Sequence, residues 1–457
     1  MVSQRDYDVI IVGAGPAGIF AALELSKSQK LRTIILDKGK DISERANTPN
    51  SLLSGWGGAG AYSDGKLTLS SEIGGWLRDY VPEEELSRLL GEVDNIYLEH
   101  GVTGPLYGND EDAIAEIARR AAQVDLRLVP SKIRHMGTEV CPIVLQKMKQ
   151  TIQDHVDIGM GVNVTKLLVH DQKITGVETV EGETIHSKYV VVAPGRGGAD
   201  WIHQEALRLG LNLTNNPVDI GVRVEVPAAV LDHLTRVLYE PKFVYYTKAY
   251  DDKVRTFCVC PNGFVIPEYV NDLVTVNGQS YASKKSENTN FAILVSTRFT
   301  EPFKEPITYG KYIAKLANLL GGGVLVQRLG DLESGRRSTA ERLARSIVEP
   351  TLKEAMPGDL SFVLPGRHLS DIKEMLVALD KIAPGIDSRH TLIYGVEVKF
   401  YSSRPELSDT LETRIHNLFA IGDGAGITRG LTQASASGLI VAREILRRST
   451  ASAHQIS

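Results

Sequence analysis

The segment "YDVIIVGAGPAGIFAALELSKSQKLRTIILDKG" sets Gly13, Gly15 and Gly18 between an apolar run and a helical pattern, and a second apolar run closes on Asp37. Each of these residues has a physical use. Glycine at 13 permits a tight turn, glycine at 15 lets the backbone approach a pyrophosphate, and glycine at 18 lets a helix lie close to a strand. The acid can accept hydrogen bonds from ribose hydroxyls. Free N–H groups and partial positive charge at the helix N-terminus favour the phosphates. To deliver these groups the chain must form a strand over Asp8 to Val12, a helix over Pro16 to Ser26, and a second strand over Thr33 to Leu36. The expected chemistry is dinucleotide binding, with NAD and FAD both open from this segment.

A second candidate lies near the other end, in "TRIHNLFAIGDGAGITRGLTQASASGLIVAREIL", Thr413 to Leu446. It reads as a buried strand over Leu418 to Ile421, a Gly-Asp-Gly turn, and a helix rich in small residues from about Leu431. An acid directly after a parallel strand stands at the carboxyl edge of the sheet, where open α/β sheets bind ligands. This pattern resembles the second FAD signature of the glutathione-reductase-type flavoproteins. The resemblance implies FAD, with Gly422 and Asp423 at a ribityl hydroxyl. It also implies that the helix start at Gly430, Leu431 and Thr432 faces flavin N1 and O2 and stabilises the anionic reduced flavin.

Between them, "KYVVVAPGRGGADWI", Lys188 to Ile202, is a buried strand ending in small residues. Gly195, Gly197 and Gly198 precede a helix and would suit a second nucleotide turn, but no strand ending in an acid follows at the expected distance. The preferred reading is the segment by which such flavoproteins return to the cofactor domain, with Ala193, Pro194 and Gly195 at the cofactor. The chain then has no separate NAD(P)H domain, and a nicotinamide enters transiently or not at all. The preceding "GMGVNVTKLLVHDQKITGVETVEGETIHS" alternates as a β-meander should, with a turn at Asp171-Gln172. By the same resemblance Val164 matches the position whose backbone meets adenine.

"SLLSGWGGAGAYSDGKLTLS" gathers Gly55, Gly57, Gly58 and Gly60 around Trp56. Glycine loses more backbone entropy on folding than any other residue, so the cluster implies a close neighbour. From "VGAGPAG" through "GWGGAGAYSDGKLT", "HMGTE", "CVCPNGF" and "VKFYSSRP" to "AIGDGAGITRGLTQASASG", the chain resembles end to end the family of uncharacterised FAD-dependent dehydrogenases. The resemblance implies that Ser54 to Gly60 form the surface against the isoalloxazine, with Gly57, Gly58 and Ala59 beside it. Pro16, Ala17, Lys38 and Arg45 join the implied cofactor contacts. A solvent-exposed glycine loop is the competing reading, since Trp56 need not stack on anything.

Catalytic candidates are fewer. "CVCPNG" puts Cys258 and Cys260 on a strand before a hairpin turn, so regular alternation points both thiols to one face, where an unstrained disulfide is poorly placed. Core cysteines and cavity-lining thiols are both consistent with that pattern. His135 in "RHMGTEVCP" is a candidate proton donor or acceptor, against a structural, hydrogen-bonded histidine. Arg404 and Arg429 are candidates for holding an anionic substrate or the reduced flavin, and Tyr62 and Asp64 are weaker ones.

These motifs sit in an α/β architecture: a Rossmann-like FAD-binding domain, with parallel sheet and β-meander, carrying an inserted, mainly antiparallel α+β substrate domain. The expected boundaries are 1–70, 136–216 and 403–457 for the cofactor domain, 217–402 for the substrate or cap domain, and 71–135 for a helical insertion serving as lid or oligomer contact. At 457 residues, 42% hydrophobic and 23% charged, the chain can bury a large core. A net charge of -5 with interspersed signs gives no reason to expect a nucleic-acid or anionic-membrane partner. Apolar runs broken by Gly and Pro argue against a membrane span, and three cysteines fit a reducing compartment, so the cytoplasm is expected. No metal cluster and no fixed oligomeric state is expected from the sequence.

The reaction expected is hydride transfer between a small organic substrate and flavin N5, with an NAD(P)H or other electron donor or acceptor as transient partner. A flavin monooxygenase is the alternative, although "APGRGGADW" lacks the Asp-Gly motif of those enzymes. A redox-neutral or structural use of FAD, of the hydratase or isomerase type, is another.

Overall fold

The computed structural model describes residues 5–28, 30–45, 52–214, 216–270, 272–297, 305–400 and 403–454. They fall into two compact units. The first is drawn from 1–104, 134–216 and 402–457, and the second from 105–133 and 217–401. The segment expected as one insertion is therefore divided: helix Glu83–Glu99 lies in the first unit, and helix Glu111–Ala122 in the second.

The first unit is built on a sheet whose path runs Val156–Met160, Thr33–Asp37, Arg5–Val12, Thr184–Val192, Lys173–Thr179, Val164–His170, with Leu418–Ala420 also paired to Thr184–Val192. The pairs among the first four strands and with Leu418–Ala420 are parallel. Their apolar runs are buried as a doubly covered sheet requires: Val9, Ile10 and Ile11 have no exposed surface. In register, Val12 pairs with Leu36 and with Val192, and Val192 pairs with Ala420. Four strand ends therefore reach the same edge. The remaining two strands form the antiparallel meander, turned at Asp171 and Gln172, whose φ values of 48° and 58° give the primed turn that matches strand twist.

Helix Pro16–Ser26 packs against the long C-terminal helix Leu431–His454. The contact is backbone-close: a Cβ at Gly438 would stand 2.2 Å from the Ala17 carbonyl oxygen. That approach explains why small residues fill the first half of the C-terminal helix.

The second unit holds the expected antiparallel sheet. Its path is Met356–Pro357, Leu325–Arg328, Leu392–Lys399, Val218–Pro227, Asn288–Thr297, Lys253–Cys260, Lys242–Tyr246, Arg127–Val129. All pairs are antiparallel except that between Leu325–Arg328 and Met356–Pro357. Helices Ala228–Leu238, Pro306–Gly321 and Gly366–Asp380 pack on it, sealing a core that includes Val222, Val224, Ile293 and Leu376.

Candidate functional site

At the carboxyl edge of the parallel sheet, glycines divide into those packed by the protein and those facing space. A Cβ at Gly13, whose φ is +111°, would stand 2.0 Å from the Ala193 oxygen, and one at Gly18 would stand 1.9 Å from the Gly13 oxygen. Both positions are closed by the fold itself. Gly15 is different: a Cβ there would meet nothing within 4 Å, and the same holds at Gly195. Gly15 caps helix Pro16–Ser26 without a side-chain hydrogen bond to the first turn, and Pro16 opens that turn. The helix thus presents unshared N–H groups at a position with room in front of it.

Asp37 ties this edge together. One carboxylate oxygen accepts from Ala14 N at 2.9 Å, and the other from Gly39 N at 2.8 Å and Gly55 N at 2.7 Å. A carboxylate has about four acceptor positions, so about one is left open by these three amides. Val162 N donates to the Asp37 carbonyl at 3.0 Å, which brings the start of strand Val164–His170 to the same end of the sheet. Lys38 Nζ donates to the Gly197 carbonyl at 3.1 Å.

The glycine cluster is bound to the dinucleotide turn. Gly57 N donates to Ala14 O at 2.7 Å, and a Cβ at Gly58 would lie 3.1 Å from Gly15 Cα. One at Gly57 would meet Leu145 Cδ1 at 2.4 Å, and one at Gly60 would meet Pro16 and Leu431 side chains at 3.0 and 3.1 Å. The close neighbours of these glycines are thus protein atoms. Trp56 is wholly buried and donates from Nε1 to the Leu145 carbonyl at 2.8 Å, while Ala59 is half-buried. Arg45, also buried, donates to the Trp56 carbonyl at 2.6 Å and the Leu52 carbonyl at 3.1 Å, fixing the loop from within.

From the C-terminal segment, Ile421 N donates to the Val192 carbonyl at 2.9 Å, placing the Gly-Asp-Gly turn beside Ala193, Pro194 and Gly195. Gly422 has φ +75°, and a Cβ on it would touch Ala17 Cβ at 3.0 Å. Asp423 accepts from Thr428 Oγ1 at 2.6 Å. Burial pushes its carboxyl above the ordinary range, against the opposing pull of Thr428, Arg196 and Arg429. At the start of the C-terminal helix Thr432 is buried and its Oγ1 has no hydrogen-bond partner among the described residues; Leu431 and Gly430 are half-buried. Arg429 N donates to Gly74 O at 2.8 Å, and its guanidinium lies 3.7 Å from the Trp76 ring centroid. Arg404 lies over the same ring at 5.7 Å and pairs with Asp79 at 3.0 Å.

His135 is buried at the end of strand Lys132–His135. Beside it is a pair that sequence spacing did not single out: Lys66 Nζ lies 2.9 Å from Asp64, both side chains largely buried. Burial would raise the Asp64 carboxyl, but Lys66 and His135 outweigh it and hold the group below the ordinary range. Of this pair the sequence singled out only Asp64, as a weaker candidate, and not Lys66. Cys258 and Cys260 belong to the second unit and are taken up below. The turn, the glycine cluster, the return segment and the C-terminal helix start therefore meet in one unit.

Residues 7–204 match the family model described as pyridine nucleotide-disulphide oxidoreductase, and residues 217–400 match that described as FAD-dependent protein, C-terminal domain-like. An uncharacterized protein of Clostridium beijerinckii is 25% identical over 96% of this chain and 80% of its own length. Among solved structures, the 3-ketosteroid-delta4-(5alpha)-dehydrogenase of Rhodococcus jostii RHA1 is 14% identical with a TM-score of 0.45, covering 96% of this chain and 97% of that one. The formate oxidase of Aspergillus oryzae is 11% identical with a TM-score of 0.48, covering 98% and 99%. With an N-terminal region matching pyridine nucleotide-disulphide oxidoreductases and a C-terminal region matching the FAD-dependent C-terminal domain, the chain is an FAD-dependent oxidoreductase.

Proposed function

We propose that the enzyme moves a hydride between a small organic substrate and FAD held at the carboxyl edge of the parallel sheet. The observation that carries this reading is the pair of open glycines, Gly15 and Gly195, beside turns whose other glycines are closed by protein. In this reading the N–H groups after Gly15, with Pro16, Ala17 and Gly18, hold the pyrophosphate, and Asp37 uses its remaining acceptor position on the ribose. Val164 lies toward adenine, and Lys38 and Arg45 support the loop. Ala193 to Gly195 with Gly422 and Asp423 hold the ribityl chain. Gly430 to Thr432 supply helix N–H groups and the unshared Thr432 hydroxyl to the pyrimidine edge. Bound there, FAD supplies the group that accepts or gives up the hydride.

His135, with Asp64 and Lys66, is the proposed proton relay on the protein side. Arg429, its guanidinium stacked on Trp76, is the proposed anchor for negative charge. A nicotinamide dinucleotide is the proposed transient electron partner, and the low cysteine count fits cytoplasmic residence. The test is anaerobic mixing of the yellow holoprotein with NADH or NADPH, then air. Bleaching followed by slow reoxidation is expected. A spectrum that no reductant changes would overturn the reading, and rapid oxygen use that requires an added substrate would replace it with monooxygenation.

A further inference from the structure

Strand Lys253–Cys260 is not regular at its end. Its pairing with Asn288–Thr297 runs to Phe257 opposite Ala292 and resumes only at Cys260 opposite Asn290, and Cys258 holds φ +45°. In a regular strand, residues two apart are separated by about 6.8 Å at Cα. Across this bulge the sulfurs of Cys258 and Cys260 lie within 4.8 Å of one another. The alternation expected from the sequence is therefore broken where it would have kept the thiols apart.

The turn that follows is fixed. Gly263 N donates to the Cys260 carbonyl at 3.1 Å, Asn262 Nδ2 donates to Ser286 O at 3.0 Å, and a Cβ at Gly263 would come 2.7 Å from Cys260 Cβ. Behind the thiols stands Arg223, with no exposed surface. Its Nη2 donates to the Cys258 carbonyl at 2.6 Å and lies 3.8 Å from Cys260 Sγ. Its Nε donates to Asn290 Oδ1 at 3.0 Å, and its Nη1 lies 3.2 Å from Glu397. Lys399 Nζ lies 3.1 Å from Glu397 and 3.2 Å from Glu268. The two cations and two carboxylates of this group balance, and the Arg223 guanidinium stands against the Cys260 sulfur. Cys260 is buried, whereas Cys258 retains partial exposure.

We propose that Cys258 and Cys260 form a reversible redox dithiol that exchanges with small disulfides, Cys258 attacking and Cys260 resolving. The Cys258 thiolate displaces one thiolate from a disulfide RSSR, giving a mixed disulfide. Cys260 thiolate, beside the Arg223 guanidinium, then attacks Cys258 Sγ and expels the second. The protein dithiol gives up two electrons and two protons, and RSSR leaves as two RSH. A small ring closed across a bulge is readily reopened by thiol, which makes the exchange reversible. Cys141 is an internal control: it is buried, burial pushes its thiol up to about 12, and no adduct is expected on it in the folded protein.

The test incubates the full-length holoprotein with oxidised glutathione, quenches it by alkylation and maps the peptides by mass. In the parent, the peptide carrying both cysteines is expected to lose the mass of two hydrogens and to regain it in reduced glutathione. Cys260→Ser is expected to trap about one glutathione per chain on Cys258, and Cys258→Ser at least about tenfold less. Cys141 stays alkylatable only after denaturation. Two alkylatable thiols in the folded parent at every glutathione ratio, or no adduct on Cys258 in folded Cys260→Ser, would overturn the proposal.

Discussion

Gly58 and Gly15 face one another across the dinucleotide turn, so that a β-carbon on Gly58 would stand 3.1 Å from the Gly15 α-carbon, while a β-carbon on Gly15 would touch no atom within 4 Å. The first glycine is needed by the protein, and the second has room left in front of it.

Gly15→Val and Gly58→Val should therefore fail in different ways. Gly15 has φ -81°, open to any residue, so its valine variant keeps the melting temperature of the apoprotein and loses flavin affinity by about tenfold or more. Gly58, at φ +52°, would force a β-branched residue into the left-handed region, and its variant should melt lower even without flavin, by about 1–3 kcal/mol. Apoprotein melting and flavin retention after dialysis separate the two. A parental flavin content in Gly15→Val would contradict the proposed pyrophosphate position.

Asp37→Ala removes the acceptor shared by three backbone amides. Hydrogen bonds to a charged group contribute about 1.5–3 kcal/mol each in favourable cases, and amides left bare are partly rewetted. The variant should lose apoprotein stability and flavin together. Loss of flavin with an unchanged melting curve would mean the amides find other partners.

Asp423→Ala removes a carboxylate whose described partner is the Thr428 hydroxyl. Flavin retention should fall by about 1.5–3 kcal/mol, roughly one to two decades in affinity. Asp423→Asn, which still accepts a hydrogen bond from Thr428, should fall less. Equal flavin occupancy in all three proteins after exhaustive dialysis would remove Asp423 from the cofactor contacts.

A pH signature is expected from the second unit. Burial, and then the Asp252 carboxylate beside it, push Asp371 up to about 6, although Thr247 Oγ1 donates to it at 2.8 Å. The ordinary value is 3.8, so the native carboxyl binds its proton more tightly than the unfolded chain does. Lowering the pH through 6 therefore relieves a penalty, and the relief is complete below 3.8. Asp371→Asn should be more stable than the parent above that window and should lose its advantage as the pH falls. Parallel melting-temperature profiles for the two proteins would refute this.

The first unit was legible because its signals are local. The helix Pro16–Ser26 falls on the residues expected, since Pro at its start and an apolar stretch beyond encode it within one segment. The glycine cluster was harder to interpret. Its spacing announces a close neighbour, and the protein atoms it meets, on Gly15, Leu145 and Lys40, are ones that only the folded chain brings near. Lys66 escaped notice because its pairing with Asp64, two residues away, follows no periodic pattern. At Cys258 the alternation rule was defeated by a bulge, which depends on pairing with Asn288–Thr297 and leaves no mark in the strand's own residues.

The parallel sheet takes its strand Leu418–Ala420 from a part of the chain made long after Arg5–Val12 and Thr184–Val192, the whole of 217–401 lying between. During synthesis the end of Thr184–Val192 at residues 190–192 therefore lacks its partner on one side until Leu418–Ala420 is made, the start of the strand being already paired with Lys173–Thr179. Such an edge is a template for pairing with other chains. The C-terminal strand closes it and also brings Asp423 and the following helix start, so sealing the sheet and assembling the proposed cofactor edge are one event in the life of the chain.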